Sequence, residues 1–374
     1  TTEIYTLSLH DALPILQRML PRDLVNEKNK NGRKVLEKRW RRRMKLTPCV
    51  VSTFYMLPNE MKCTRYNSGE FFPEYLYDFV DLLIVDEAGQ VLPEVAGASF
   101  ALAKRAMVIG DTFQLEPIWN IKPHVDIGNL LSAGIISIDT IDEHYNRLRR
   151  LGKTAASGSV MEIAQAATRY YYDRELVRGM FLYEHRRCYD EIVAFCNALC
   201  YRNKLKPMRG KGTGMGVFPA MGYLHINGIC ERRNGGSRQN ELEADTIAAW
   251  IVHHKNELEQ CYGKGVDEIV GVVTPFGGQV AAITEACRSL GLHVGKKAGE
   301  MTVGTVHSLQ GAERPVVIFS PTYSIHEDGH FMDRSPSMLN VAVSRAKDAF
   351  LVFGDMDVFR SEEHTSELQS PNTI

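Results

Sequence analysis

The stretch FVDLLIVDEAGQ, residues 79–90, limits what this chain can fold into more than any other. Val80, Leu82, Leu83, Ile84 and Val85 form an almost unbroken apolar run. That is the pattern of a parallel strand covered on both faces, not the alternation of a half-exposed one. Asp86 and Glu87 follow at once, at the strand's carboxyl end, which is the edge where open α/β sheets bind ligands. Two adjacent carboxylates there can place one on a metal ion and the other on a water, although a polar loop after a core strand fits the same residues.

With 374 residues and 44% hydrophobic content the chain is long enough for two domains with buried cores. A formal charge of −1 gives no global basic field, so any nucleic-acid contact has to come from local surfaces. Eight cysteines include no C-x-x-C pair, and Cys196 and Cys200 share a helical face with no histidine at zinc-ligand spacing. Buried thiols in a reducing cytoplasm are expected, not a metal site. No apolar run approaches the ~18 residues of a membrane span, and the first residues lack a signal peptide's charged start. Thr6–Ile15 and Arg360–Ser370 read like translated ligation adapters of short-read sequencing, so residues 1–15 and 360–374 are taken as artefact and 16–359 as an internal fragment.

Arg33–Lys45 is dense in Arg and Lys, with Val35, Leu36, Trp40 and Met44 at near-helical spacing, and predicts a basic amphipathic helix that either tracks phosphates or is simply solvated. Thr47–Thr53 reads as a short buried strand whose trailing Ser52 and Thr53 emerge at the edge that carries Asp86, to contact a nucleic-acid backbone or cap the next turn. Val91–Ala103 suits a packed helix. Ala106–Pro117 then gives a second apolar strand ending in Gly110-Asp111, with Gln114 on the following turn, where its amide can sense a γ-phosphate or position water. Parallel strands deliver successive carboxyl ends to one crevice, so this second strand end strengthens the first.

IVDEAGQ followed by GDTFQLEP resembles motifs II and III of superfamily 1 helicases, in the branch that includes the nonsense-mediated-decay helicase. The later segments continue the resemblance. Glu184–Tyr189 occupies the place of a Gln-Tyr-Arg-Met-His-Pro pattern, of which only Arg186 carries over. Thr274, Pro275 and Gln279 match a threonine-proline turn with a glutamine at the helix start, where free N–H groups can meet a phosphate or form a plain cap. Met301–Ser320 resembles motif V and Leu339–Asp355 motif VI. The resemblance implies ATP and Mg²⁺, with Asp86 on the metal, Glu87 activating water, and Gln114, Arg186 and Arg345 at the γ-phosphate, Arg345 as an arginine finger. It places Gln310, Gly311 and Glu313 toward the nucleotide, and Thr274, Pro275, Gln279, Thr305 and His307 toward single-stranded nucleic acid, where the strand-end reading also puts Ser52 and Thr53.

Between the motifs, Asn120–Gly179 is expected to be connector, with a helix over MEIAQAATRYYYDREL. Lys204–Gly216 is expected to be a mobile loop and not a phosphate loop, Gly222–Asn227 a strand, and Gln239–Gln260 one long helix with Leu242, Ile247, Ile251 and Val252 inward. No G-x-x-x-x-G-K-[ST] occurs, and the resemblance puts it upstream of the basic helix. The expected fold is α/β, with two RecA-like P-loop domains built on mainly parallel sheets. An incomplete first domain with connector spans 16–179 and a second spans 180–359. The expected function is an ATP-dependent helicase or translocase motor, monomeric, hydrolysing ATP in the inter-domain cleft when intact and inactive as this fragment, with DNA preferred to RNA as its track. A nucleotide-independent binding or scaffolding module, or the motor of a larger effector protein, are the alternatives.

Overall fold

The computed structural model describes residues 30–212, 218–232, 236–295, 297, 299–309, 313–325 and 335–359. The adapter-like ends, Gln310, Gly311 and residues 213–217 of the glycine-rich loop lie outside that set. The chain forms two compact units, Thr1–Asp111 with Pro117–Thr168, and Thr112–Glu116 with Arg169–Ile374.

In the first unit the basic stretch forms helix α1, Arg33–Leu46. Leu36 and Trp40, one turn apart, are buried with Met61, Cys63, Leu76 and Leu102. The sequence reading passed over the antiparallel hairpin that α1 packs on, strands β1 (Lys62–Asn67) and β2 (Glu70–Tyr75). Its turn was legible: Ser68 and Gly69 both have positive φ, 49° and 92°, as a two-residue hairpin turn matched to strand twist requires.

The central stretch forms β3 (Leu83–Val85), parallel to β4 (Ala106–Val108) across helix α2 (Pro93–Phe100). Two expectations fail here. Thr47–Thr53 is not a strand: it has no ladder partner, and Val51 is 96% exposed. Nor is the β3 strand covered on both faces, because the sheet holds only these two strands among the described residues and Ile84 and Met107 are exposed on one side. The other side packs Val85, Ala88, Ala96 and Val160. Helices α3 (Pro123–Ser132), α4 (Ile141–Arg150) and α5 (Val160–Ala167) complete the unit. Helix α5 starts at a capping box, Glu162 N donating to Ser159 Oγ at 3.2 Å and Ser159 N to Glu162 Oε2 at 3.0 Å. It stops at Thr168, whose ψ of 148° is extended, so Tyr170–Tyr172 lie beyond the helix and not on it.

The second unit is organised by a five-stranded parallel sheet. After β5 (Glu184–His185), α6 (Asp190–Cys196) and β6 (Lys206–Pro207), β7 (Met221–His225) opens the sheet. Helices α7 (Glu241–His253) and α8 (Lys255–Tyr262) lead to β8 (Val270–Thr274), α9 (Gly277–Ser289), β9 (Thr302–Thr305), β10 (Arg314–Phe319), α10 (Pro336–Ser344) and β11 (Ala346–Gly354). The spatial order is β9-β8-β10-β11-β7, all parallel. Val272, Ile318 and Leu351 face α7 and α9, while Val273, Phe319 and Phe350 face α6 and α10. Helices on both faces explain why these strands read as continuous apolar runs, and the unit is an α/β RecA-like sheet. The single helix expected over 239–260 is two, separated at His254. Its inward stripe is Ala244, Ile247, Ala248 and Ile251; Leu242 and Val252 fall outside that i, i+3, i+4 series and are exposed.

Candidate functional site

In the first unit Asp86 and Glu87 leave β3 at its carboxyl end, both exposed. Glu87 sits in the left-handed region at φ 52°, which turns the chain sharply after the strand. Glu87 N donates to Asp86 Oδ1 at 3.0 Å and Gln90 Nε2 to Glu87 Oε2 at 3.0 Å, so each carboxylate keeps lone pairs toward solvent. Two exposed, hard oxygen donors fit a hydrated Mg²⁺. The turn also lies against the end of β4. A Cβ on Gly110 would stand 2.9 Å from the N atoms of Ala88 and Gly89, and one on Gly89 would stand 2.7 Å from Asp111 O. Both glycines are therefore required by close backbone approach. Ser52 and Thr53 are exposed, and Thr53 Oγ1 caps the next turn by accepting Met56 N at 3.3 Å.

In the second unit the expected residues separate onto opposite edges of the sheet. At the amino edge, Glu313 precedes β10 and Arg345 precedes β11. Glu313 accepts from Lys347 Nζ and, at 2.9 Å, from Arg187 Nε. Its carboxyl is held below the usual range, chiefly by the Lys347 hydrogen bond, which outweighs the opposing effect of burial, with the charges of Lys347, Arg187 and Arg345 adding to it. Arg345 is 7% exposed and donates from Nε to Val341 O at 3.2 Å and from Nη2 to Ser344 Oγ at 3.3 Å. Arg186 is exposed and paired to Glu184 at 2.5 Å. Gln114 is half-buried on a segment anchored by Asn340, whose Nδ2 donates to Phe113 O at 2.8 Å and to the Tyr201 hydroxyl at 2.9 Å. Burial pushes the Cys188 thiol up to about 11, so it stays protonated and is no nucleophile.

At the carboxyl edge, Thr305 ends β9 and the exposed His307 follows it, and Thr274 ends β8 with half-buried Pro275 next. Thr274 and Gln279 are wholly buried. Gln279 Oε1 accepts Asn240 N at 2.7 Å, and its Nε2 donates to Asn240 O at 3.1 Å and Ser320 Oγ at 3.0 Å. Thr274 Oγ1 meets Thr322 Oγ1 at 3.2 Å. As folded, Gln279 ties α9 to the start of α7 and to Ser320, Thr274 joins the end of β8 to Thr322, and both side chains are buried, unlike the expectation that they face nucleic acid.

Sequence reasoning missed Arg187, Lys347 and Glu243. Arg186 and Arg187 follow β5 and take different partners, Arg186 pairing with Glu184 and Arg187 with Glu313. Lys347 lies two residues after Arg345, a period-two signal at the start of β11 that was readable.

A family described as AAA domain matches residues 163–357, just over half of the chain. A helicase candidate of Danio rerio, mov-10-B.1, is 27% identical over 312 residues, covering 75% of this chain and 28% of that protein. The Drosophila melanogaster homolog of Regulator of nonsense transcripts 1 is 28% identical over 291 residues, covering 76% of this chain and 21% of its own length. The chain thus spans about a quarter of these relatives. Among solved structures, the PRRSV helicase overlays with a TM-score of 0.36 at 12% identity, covering 77% of this chain and 37% of that one. A preference for DNA over RNA finds no support in relatives named for transcripts. With its motifs in order and this match over the second unit, the chain belongs to the AAA-domain family, in the branch of superfamily 1 helicases that includes the nonsense-mediated-decay helicases.

Proposed function

We propose that the chain is part of the motor of an ATP-dependent helicase or translocase acting on single-stranded nucleic acid. The observation that carries the reading is the turn at Asp86 and Glu87, two exposed carboxylates at the carboxyl end of a parallel strand, locked by glycines against the Gly110-Asp111 turn. Bound Mg²⁺ would neutralise phosphate charge, and Asp86 is the residue to hold it. Glu87 is assigned to orient and deprotonate the attacking water, Gln114 to sense the γ-phosphate, and Arg345 to stabilise charge on it once freed from Val341 O. Glu313, held by Lys347 and Arg187, keeps those cations in place beside Arg345. Of the paired arginines, Arg187 is better placed than Arg186 to report on that cluster. Thr305 and His307, at the other edge, are the residues of this unit left for the nucleic-acid strand.

The test is ATP turnover, with and without single-stranded DNA or RNA, by the longer protein that contains this chain. Arg345→Ala should lower turnover by about 10³ to 10⁵, far beyond a surface ion pair of about 1 kcal/mol. Turnover near normal in that variant, or no stimulation by either nucleic acid, would sink the assignment.

A further inference from the structure

The β1–β2 hairpin has two unlike faces. Residues directly opposite across an antiparallel pair share a face. The register therefore places Cys63 with Glu74, Arg65 with Phe72 and Asn67 with Glu70 on one side, and Lys62 with Tyr75, Thr64 with Pro73 and Tyr66 with Phe71 on the other. At the base the first side packs on α1, Cys63 being buried against Leu36 and Trp40 and Glu74 paired with Arg33 at 3.7 Å, and Tyr75 of the second side is half-buried on the same cluster; toward the tip Phe72 of the first side is 44% exposed. Both glutamates of the hairpin thus lie on the helix side. The outer side carries no carboxylate. It holds Lys62 at its base and, toward the tip, Tyr66 and Phe71, which are 64% and 73% exposed with ring centroids 5.0 Å apart. Tyr77, also exposed, extends the row, 6.1 Å from the Tyr75 ring.

Two large rings held out in water on a short hairpin contribute nothing to the core beneath. An exposed pair of adjacent rings is available as a contact surface. On the outer side the charge is that of Lys62, exposed and positive with no carboxylate on its face to oppose it, while the exposed cations of α1 lie on the other side of the hairpin. A partner that offers flat faces for the rings and negative charge for the lysine is a single nucleic-acid strand, with unpaired bases to stack and phosphates to pair.

We propose that the outer face of this hairpin is a stacking platform for single-stranded nucleic acid, in which Tyr66 and Phe71 each take a base and Lys62 a phosphate. The proposal deepens the nucleic-acid reading above by naming a contact outside the motifs. It is read by binding without nucleotide, whereas that reading is tested by turnover, so the two fail separately.

The experiment is fluorescence anisotropy of this chain with labelled oligo(U) and oligo(dT). Tyr66→Ala/Phe71→Ala should weaken binding by at least about five-fold per ring removed, and Lys62→Glu should weaken it and flatten its salt dependence. Thr305→Ala/His307→Ala serves as the comparison at the other unit's edge. Binding unchanged in the double variant, no binding by the wild-type chain, or a change in self-association in place of oligonucleotide affinity would each overturn the proposal. Should the double variant lose its fold by circular dichroism, photocrosslinking of the wild type to 5-iodouracil strands decides. Adducts at Tyr66 or Phe71 support the platform, and adducts only elsewhere overturn it.

Discussion

Glu243 offers the sharpest perturbation of the second unit. It lies in the first turn of α7, wholly buried, where it receives Ser320 Oγ at 2.5 Å, Thr322 N at 3.0 Å and Asn240 Nδ2 at 3.2 Å. None of these partners is a cation. Burial pushes its carboxyl from 4.5 up to about 8, with Asp355 adding to the rise and the Ser320 and Thr322 bonds opposing it. A carboxyl whose pKa is higher folded than unfolded holds its proton more tightly in the native state. Below about pH 4.5 both states are protonated; between there and about 8 only the folded one is, so stability falls as pH rises through that window and is level above it. At 1.4 kcal/mol per pH unit the whole effect is about 5 kcal/mol, of which about 3 kcal/mol falls between about pH 5 and pH 7.5. Glu243→Gln cannot ionise. Urea unfolding of both proteins across that range, followed by the fluorescence of Trp250, whose ring lies 5.4 Å from Phe353 in the same unit, should show the variant gaining on wild type as pH rises. Curves that stay parallel would refute the reasoning, and would mean that three donors keep the carboxylate ionised throughout.

Two further perturbations test the amino edge of the same sheet. Asn340→Ala removes the donor to Phe113 O and the Tyr201 hydroxyl at a buried position, and should cost about 2 kcal/mol in the urea stability of this unit; a loss under about 0.5 kcal/mol would contradict the structure. Glu313→Gln breaks ion pairs whose carboxylate is 39% exposed, so it should cost no more than about 1 kcal/mol and less in high salt. Because the Glu313 carboxyl is held low, the lost stability is present at neutral pH in wild type and disappears as pH falls through its lowered pKa; a salt-independent loss above about 3 kcal/mol would refute this account.

What the sequence by itself determined is the order of strands and polar turns. Continuous apolar runs such as Val270–Val273 and Phe350–Phe353 read as strands, and Asp86-Glu87 directly after such a run reads as emerging at a strand's carboxyl end. The hairpin turn at Ser68-Gly69 and the Arg345/Lys347 spacing were equally local and were legible too. Tertiary structure decided what depends on neighbours distant in the chain. Thr47–Thr53 has strand-like residues but no edge to pair with, and Ile84 has a strand but no layer over it, because a ladder and a cover each need a second segment. Thr274 and Gln279 sit where a helix amino end invites a phosphate, yet Asn240, Ser320 and Thr322 take up their hydrogen bonds. Which of two adjacent arginines meets Glu313 depends on the course of the chain after β5 against a strand more than a hundred residues away. Sequence spacing carries no record of that, since the pairing is set by the sheet that brings the two together.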